Sequence, residues 1–181
     1  MSDITQSTPA LGRSGFGPGG RLLLALSRQL AIAGGFVFVL LVAMSIVSIT
    51  GRKLIAAPVP GDVELLQMCA AFAASAFFAY CHLVNGDVKV DFFTQRLAPR
   101  TVARLDAFGS LLVGLFGALI AWRTAVGALA LREVGETSAV LGLPVWVAQM
   151  LMVPGFALLA AAGLYLCVHL LRAAADPEPA A

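Results

Sequence analysis

The chain alternates between long stretches without a charged side chain and short polar segments. The charge-free stretches are residues 29–51, 65–86, 107–122 and 137–171. A helix needs about 20 apolar residues to cross a hydrocarbon core of roughly 30 Å. Because the stretches are apolar on every face, the pattern predicts four transmembrane helices. A transmembrane barrel would instead show short segments of alternating polarity.

The polar segments set the bounds of a predicted membrane domain, residues 21–172. Its predicted spans are 29–50, 63–85, 105–130 and 144–171. Residues 1–20, rich in Gly, Pro and Ser, are predicted to form a disordered tail, because they bury too little apolar surface to offset their ordering entropy. Residues 173–181 form a second tail. A cleaved signal peptide is the alternative for the first span, but that span is longer than a usual signal core.

Single residues mark the ends of several spans. Asp62 is a candidate N-cap of the second helix, where negative charge is favoured. The third charge-free stretch is short, so Arg123 must lie inside that helix near its end, where a long side chain reaches the interface. Pro144 suits the first turn of the fourth helix. In the linker, Val90–Leu97 is predicted to form a short interfacial helix that stops before Pro99.

Composition supports a membrane protein. Hydrophobic residues make up 60% of the 181 residues and charged residues 12%, against about 25% charged in an ordinary soluble domain. The mean hydropathy is +0.91. The net charge of +2 is too small to indicate a nucleic-acid partner.

The placement of Lys and Arg predicts the orientation, since cytoplasmic flanks are enriched in both. Of the 12 Lys and Arg residues, four fall on one predicted side of the membrane: Arg52, Lys53, Arg123 and Arg132. The others fall on the opposite side: Arg13, Arg21, Arg28, Lys89, Arg96, Arg100, Arg104 and Arg172. Both termini are therefore predicted to be cytoplasmic.

Glu64 is the acidic residue that bears most on transport chemistry. One interpretation is a proton or cation site, as in small four-span exporters, because an ionisable group inside a membrane usually has a function. The other is a carboxylate at a helix terminus that pairs with Arg52 or Lys53 across the loop. The second is favoured, because Glu64 lies near a helix start and not at mid-membrane.

Histidines and cysteines give a weaker signal. His82 and His169 are predicted at similar depth in two helices, where histidines can ligate a b-type haem, but hydrogen bonding at the interface is the favoured interpretation. Cys69, Cys81 and Cys167 match no zinc-site spacing and are predicted to pack within spans. The sequence shows no phosphate-binding loop, nucleophile motif or sizeable soluble domain, so an enzyme is not expected.

Four motifs follow one another along the chain. They are Gly51-Arg52-Lys53 at the end of the first span, Pro60–Leu65 (PGDVEL) at the start of the second, Val90–Phe93 (VDFF) in the linker, and Glu136-Thr137 with Leu141–Trp146 (LGLPVW) before the fourth. In this order, in a four-span chain of this length, they resemble the DctQ-like small permease subunit of tripartite ATP-independent periplasmic (TRAP) transporters. The resemblance covers about residues 22–172.

The resemblance implies a function that composition could not supply. In such systems a periplasmic binding protein delivers an organic acid to a large permease subunit, which carries the substrate and sodium sites, while the small subunit is a static scaffold. The implied partners are the large permease subunit, the binding protein and membrane lipid, and the implied location is the bacterial inner membrane. No cofactor and no metal is expected. A haem b-binding membrane anchor of a redox complex is the alternative.

The resemblance also implies roles for single residues. Arg52, Lys53, Asp62 and Glu64 would lie on the periplasmic side, where they dock the binding protein or hold the loop. The linker residues would anchor the chain at the interface or against the large subunit: Val90, Asp91, Phe92 and Phe93. The remaining partner-contact or structural candidates are Arg123, Pro144 and Trp146.

Overall fold

The computed structural model describes residues 17–55, 60–86 and 99–175. They form four α-helices: α1 (Pro18–Ile55), α2 (Asp62–Leu83), α3 (Pro99–Val134) and α4 (Val145–Ala175). Each is long and apolar enough to cross a membrane. This confirms the predicted all-α fold with four membrane-spanning helices.

Three helices extend beyond the predicted spans. α1 begins at Pro18, inside the predicted tail, and continues without a break into the first predicted span. α3 begins at Pro99, inside the predicted linker, and α4 continues to Ala175. The absence of charge marks the part of a helix that lies in hydrocarbon, whereas the helix itself can continue among the head groups. The predicted interfacial helix, Val90–Leu97, lies outside the described residues.

The four helices form an open row in the order α1, α2, α4, α3. α1 packs against α2, α2 against α4, and α4 against α3. α1 also approaches α4 near its first turns, where the backbone N–H of Gly17 donates to the hydroxyl of Tyr165 at 3.2 Å. Within the described residues, the backbone of α3 comes close to α4 alone. Large apolar side chains therefore remain exposed on the two outer helices, among them Phe36 of α1 and Phe116 of α3.

Small residues let neighbouring helices approach closely. A Cβ atom added at any of three glycines would overlap a residue of the next helix. The pairs in contact are Gly34 with Ala76 between α1 and α2, Gly155 with Ser75 between α2 and α4, and Gly163 with Gly114 between α3 and α4. Close backbone approach of this kind favours helix association in lipid, where burial from water does not drive it.

Two clusters of buried side chains hold the helices of the row together. One consists of Leu83, Ala162 and Leu166, and Leu23 and Leu24 of α1 pack against it. The other consists of Ala79, Phe156 and Leu159, with Ile120 and Ala121 of α3 at its edge. Each cluster thus connects α2 and α4 at the centre of the row with one outer helix.

Candidate functional site: a carboxylate clamp between helix ends

The carboxylate of Glu64 binds the loop that connects α3 to α4. Its Oε1 accepts the backbone N–H of Val140 at 2.8 Å, and its Oε2 accepts that of Leu141 at 3.1 Å. Hydrogen bonds to an ionised acceptor are stronger than those between neutral groups. The first turn of α2 therefore holds a loop that lies more than 70 residues further along the chain.

The loop between α3 and α4 has a defined backbone of its own. Thr137 and Pro144 form an isolated antiparallel bridge. Inside it, the N–H of Ser138 donates to the carbonyl of Leu143 at 2.8 Å, and the Ser138 hydroxyl accepts the N–H of Leu143 at 3.2 Å. Gly142 adopts a φ of +64°, which a glycine tolerates without a steric penalty. The amide groups that reach Glu64 are thus presented by an ordered turn.

Asp62 makes the second contact of this region and joins α2 to α1. Its Oδ2 accepts the hydroxyl of Ser48 at 2.5 Å and lies 3.5 Å from Nη2 of Arg52. Its Oδ1 accepts the N–H of Val63 at 2.8 Å. Both acidic residues lie in the first turn of α2, where the helix dipole favours negative charge.

Gly61 allows the loop to lie directly on the start of α2. It is the N-cap residue of α2 and has a φ of +74°. A Cβ at this position would overlap the side chain of Leu141. Position 61 therefore requires a glycine for two reasons: the positive φ and the close approach of the loop.

We call this arrangement the clamp: Ser48, Arg52, Asp62, Glu64 and the loop 137–144. It ties the end of α1, the start of α2 and the α3–α4 connection together. A crevice of about 470 Å³ lies beside it, lined by residues that include Gln67, Glu136 and Gln149. The described residues contain no group of three His, Cys, Asp or Glu side chains placed to hold a metal ion. The geometry of the clamp is that of a structural tie between helix ends.

A comparison with protein families identifies the chain. The model described as "Tripartite ATP-independent periplasmic transporters, DctQ component" matches residues 41–173. The chain belongs to this family. The match includes the whole clamp and confirms the resemblance carried by the four motifs. Comparison with curated proteins and with solved structures gave no match.

Family membership makes this chain the small subunit of a TRAP transporter and a multi-pass membrane protein. DctQ is a family of transporter components, which implies that the chain is not an enzyme. The haem-anchor alternative gains no support from the family. Of the two candidate histidines, His82 is buried and His169 stacks on Tyr165 with ring centroids 6.0 Å apart.

The clamp corrects two expectations for the DctQ-family subunit. Asp62 is the first residue of α2 and not its N-cap, because the left-handed Gly61 occupies that position. Arg52 pairs with Asp62, whereas Glu64 binds backbone N–H groups. The predicted pairing of Glu64 with Arg52 or Lys53 is therefore wrong, since Glu64 forms no ion pair within the described residues. Lys53 is exposed at the end of α1.

The remaining candidates lie around the loop or apart from it. Pro144 closes the bridge with Thr137, and Trp146 lies under the guanidinium of Arg132, which is 5.3 Å from the ring centroid. Arg123 is exposed on α3. The four linker candidates lie outside the described residues: Val90, Asp91, Phe92 and Phe93.

Sequence reasoning missed Ser48 and the two loop amides. Ser48 lies one helical turn before Arg52, on the same face of α1. That spacing could have indicated that both side chains reach the same carboxylate. Backbone N–H groups carry no signature of residue type. The contribution of Val140 and Leu141 to the clamp therefore had no signal in the sequence.

Proposed function

We propose that this DctQ-family chain is the static scaffold of a TRAP transporter that takes up an organic acid by sodium symport. In this proposal a large permease subunit carries the solute and ion sites, and a periplasmic binding protein delivers the solute. The chain resides in the bacterial inner membrane with both termini in the cytoplasm. The clamp then lies on the periplasmic side.

The two hydrogen bonds that Glu64 accepts from the loop are the observation that best supports the scaffold role. An ion-coupling carboxylate must exchange its ligands during transport, whereas both oxygens of Glu64 accept hydrogen bonds from loop amides. Ion coupling at Glu64 would break the tie between α2 and the loop in every cycle. The close glycine contacts support the same role, since backbones in direct contact leave little room for helices to slide.

Uptake measured with defined subunit combinations tests the proposal. The three components are co-expressed in cells without a competing uptake system, and uptake is followed with a panel of radiolabelled organic acids. We expect uptake only with all three components and an inward sodium gradient, and no uptake by the purified chain alone in liposomes. Undiminished uptake in cells that lack this chain would refute the scaffold role.

A Glu64→Gln variant separates the scaffold from an ion site in the same assay. If Glu64 is structural, co-purification with the large subunit and uptake should fall together, because an amide offers one acceptor where two are needed. If Glu64 couples an ion, co-purification should be unchanged while ion-dependent uptake is lost.

A further inference from the structure

The start of α1 presents two arginines on one face of the helix. Arg21, Leu24, Ala25 and Arg28 line a crevice of about 280 Å³. Residues three, four and seven positions apart lie on the same side of a helix. The two guanidinium groups therefore flank an apolar surface, and we call this feature the arginine crevice.

The length of α1 places the arginine crevice at the level of the lipid head groups. Residues 29–51 carry no charged side chain, and at 1.5 Å per residue they span about 35 Å, enough to cross the hydrocarbon core. Helix α1 nevertheless begins at Pro18. The turns that contain Arg21 and Arg28 consequently lie at and beyond one boundary of the hydrocarbon.

Neither arginine is engaged by another described residue. The ion pair found among the described residues joins Arg52 to Asp62, at the far end of α1, and both Arg21 and Arg28 are exposed. Two cations are thus exposed on one face of α1, two turns apart, without a described carboxylate to balance them. An anion is the complementary ligand for two such cations.

The element that carries these arginines is held in place. Gly20 lies directly against the ring of Tyr165 in α4, and the N–H of Gly17 donates to the hydroxyl of the same residue. Leu24 packs against the buried cluster of Leu83, Ala162 and Leu166. A site on this segment therefore keeps a fixed position relative to the rest of the row.

We propose that the arginine crevice binds the phosphate group of an anionic phospholipid from the adjacent leaflet. Guanidinium groups match the geometry of phosphate oxygens and bind them through paired hydrogen bonds. The apolar surface of Leu24 and Ala25 between the two arginines suits the glycerol and upper acyl chain of such a lipid. This inference does not rest on the proposed transport role.

Native mass spectrometry of the purified full-length chain in a neutral detergent tests the inference. Phosphatidylglycerol and phosphatidylcholine are titrated separately, and the bound fractions give apparent dissociation constants. We expect phosphatidylglycerol to bind about tenfold more tightly, because two arginines attract the anionic head group. Equal affinity for the two lipids would overturn the proposal.

An R21Q/R28Q variant and a matched control locate the site. The variant should lose the preference for phosphatidylglycerol to within about twofold. The control, R100Q/R104Q, removes the same charge from the first turns of α3, where both arginines are also exposed, and it should keep the preference. Equal losses in both variants would indicate a diffuse charge effect and refute the site.

Two further measurements separate lipid binding from free-phosphate binding and from a loss of folding. Inorganic phosphate at millimolar concentration should not displace the lipid, and complete displacement would mean a site for free phosphate. Thermal unfolding in phosphatidylcholine should be the same for all variants. If R21Q/R28Q does not fold, R28Q alone should show a loss of about threefold in affinity for phosphatidylglycerol, and an unchanged affinity there would overturn the proposal.

Discussion

Glu64 connects two parts of the chain through backbone N–H groups. Replacing it with Ala removes both acceptors, so the amides of Val140 and Leu141 lose their partners. We expect hydrogen exchange of the peptide covering residues 138–143 to become about tenfold faster, because protection in a loop depends on such local contacts. Deuterium uptake measured by mass spectrometry checks this.

Glu133→Ala is the matched control for this prediction. Glu133 is an exposed carboxylate in the last turn of α3, and its removal changes the net charge by the same amount. Exchange in the loop should be unchanged in this variant. If both variants accelerate exchange equally, the effect is electrostatic and the clamp does not depend on the two hydrogen bonds of Glu64.

At the residue scale, sequence could predict the acidic residues of the site but not their partners. Asp62 and Glu64 stand out because charges are scarce near a long apolar span. Which of them pairs with Arg52 depends on how the ends of α1 and α2 meet, and it is Asp62, which also accepts the hydroxyl of Ser48, that does so. The contacts of Glu64 depend on a loop whose place in the fold the sequence does not specify.

At the scale of elements, the close approach of α3 and α4 can be tested by a substitution. A Cβ at Gly163 would lie 2.5 Å from the Cα and N atoms of Gly114 and 2.6 Å from the carbonyl oxygen of Ser110. These are backbone atoms that cannot rotate away, so the helices must separate. We expect Gly163→Ala to lower the free energy of unfolding by about 1–3 kcal/mol, as overpacking does elsewhere. Unfolding in mixed micelles measures it.

Gly109→Ala supplies the control on the same pair of helices. Apart from the adjacent residues and the backbone of α3 itself, no described atom lies within 4 Å of a Cβ added at Gly109, and alanine favours a helix over glycine by up to about 1 kcal/mol. This variant should be neutral or slightly stabilised. A Gly163→Ala variant as stable as Gly109→Ala would mean that the α3–α4 contact is looser than described.

The helices themselves could be predicted from sequence, whereas their order in the row could not. Four charge-free stretches indicate four helices because lipid leaves the backbone few alternatives. Each helix is apolar all round, so its sequence does not distinguish a face that meets a neighbour from a face that meets lipid. Pairs of small residues four positions apart, which often mark helix contacts in lipid, are a partial guide. Ser110 and Gly114 form such a pair and lie in the α3–α4 contact, whereas Ala74, four positions after Ala70, is exposed.

At the scale of the whole molecule, different kinds of contact hold the helices together at their two ends. The clamp fixes one end through polar contacts among α1, α2 and the α3–α4 loop. Near the first turns of α1, Tyr165 and a small apolar cluster join the helices. Between them, the outer helices expose apolar side chains that only lipid or another protein can cover without cost. A large permease subunit fits this requirement.

The orientation of this row is the prediction that involves the entire chain. Four spans bring both termini to one side, and the Lys and Arg residues are concentrated on that side, which predicts cytoplasmic termini. A fluorescent protein fused after Ala181 should fluoresce, since it matures only in the cytoplasm, and alkaline phosphatase fused after Glu136 should be active, since it matures only in the periplasm. The reciprocal fusions are the controls and should be silent. An active phosphatase after Ala181 would invert the topology and place the clamp in the cytoplasm, where it could not meet a periplasmic binding protein.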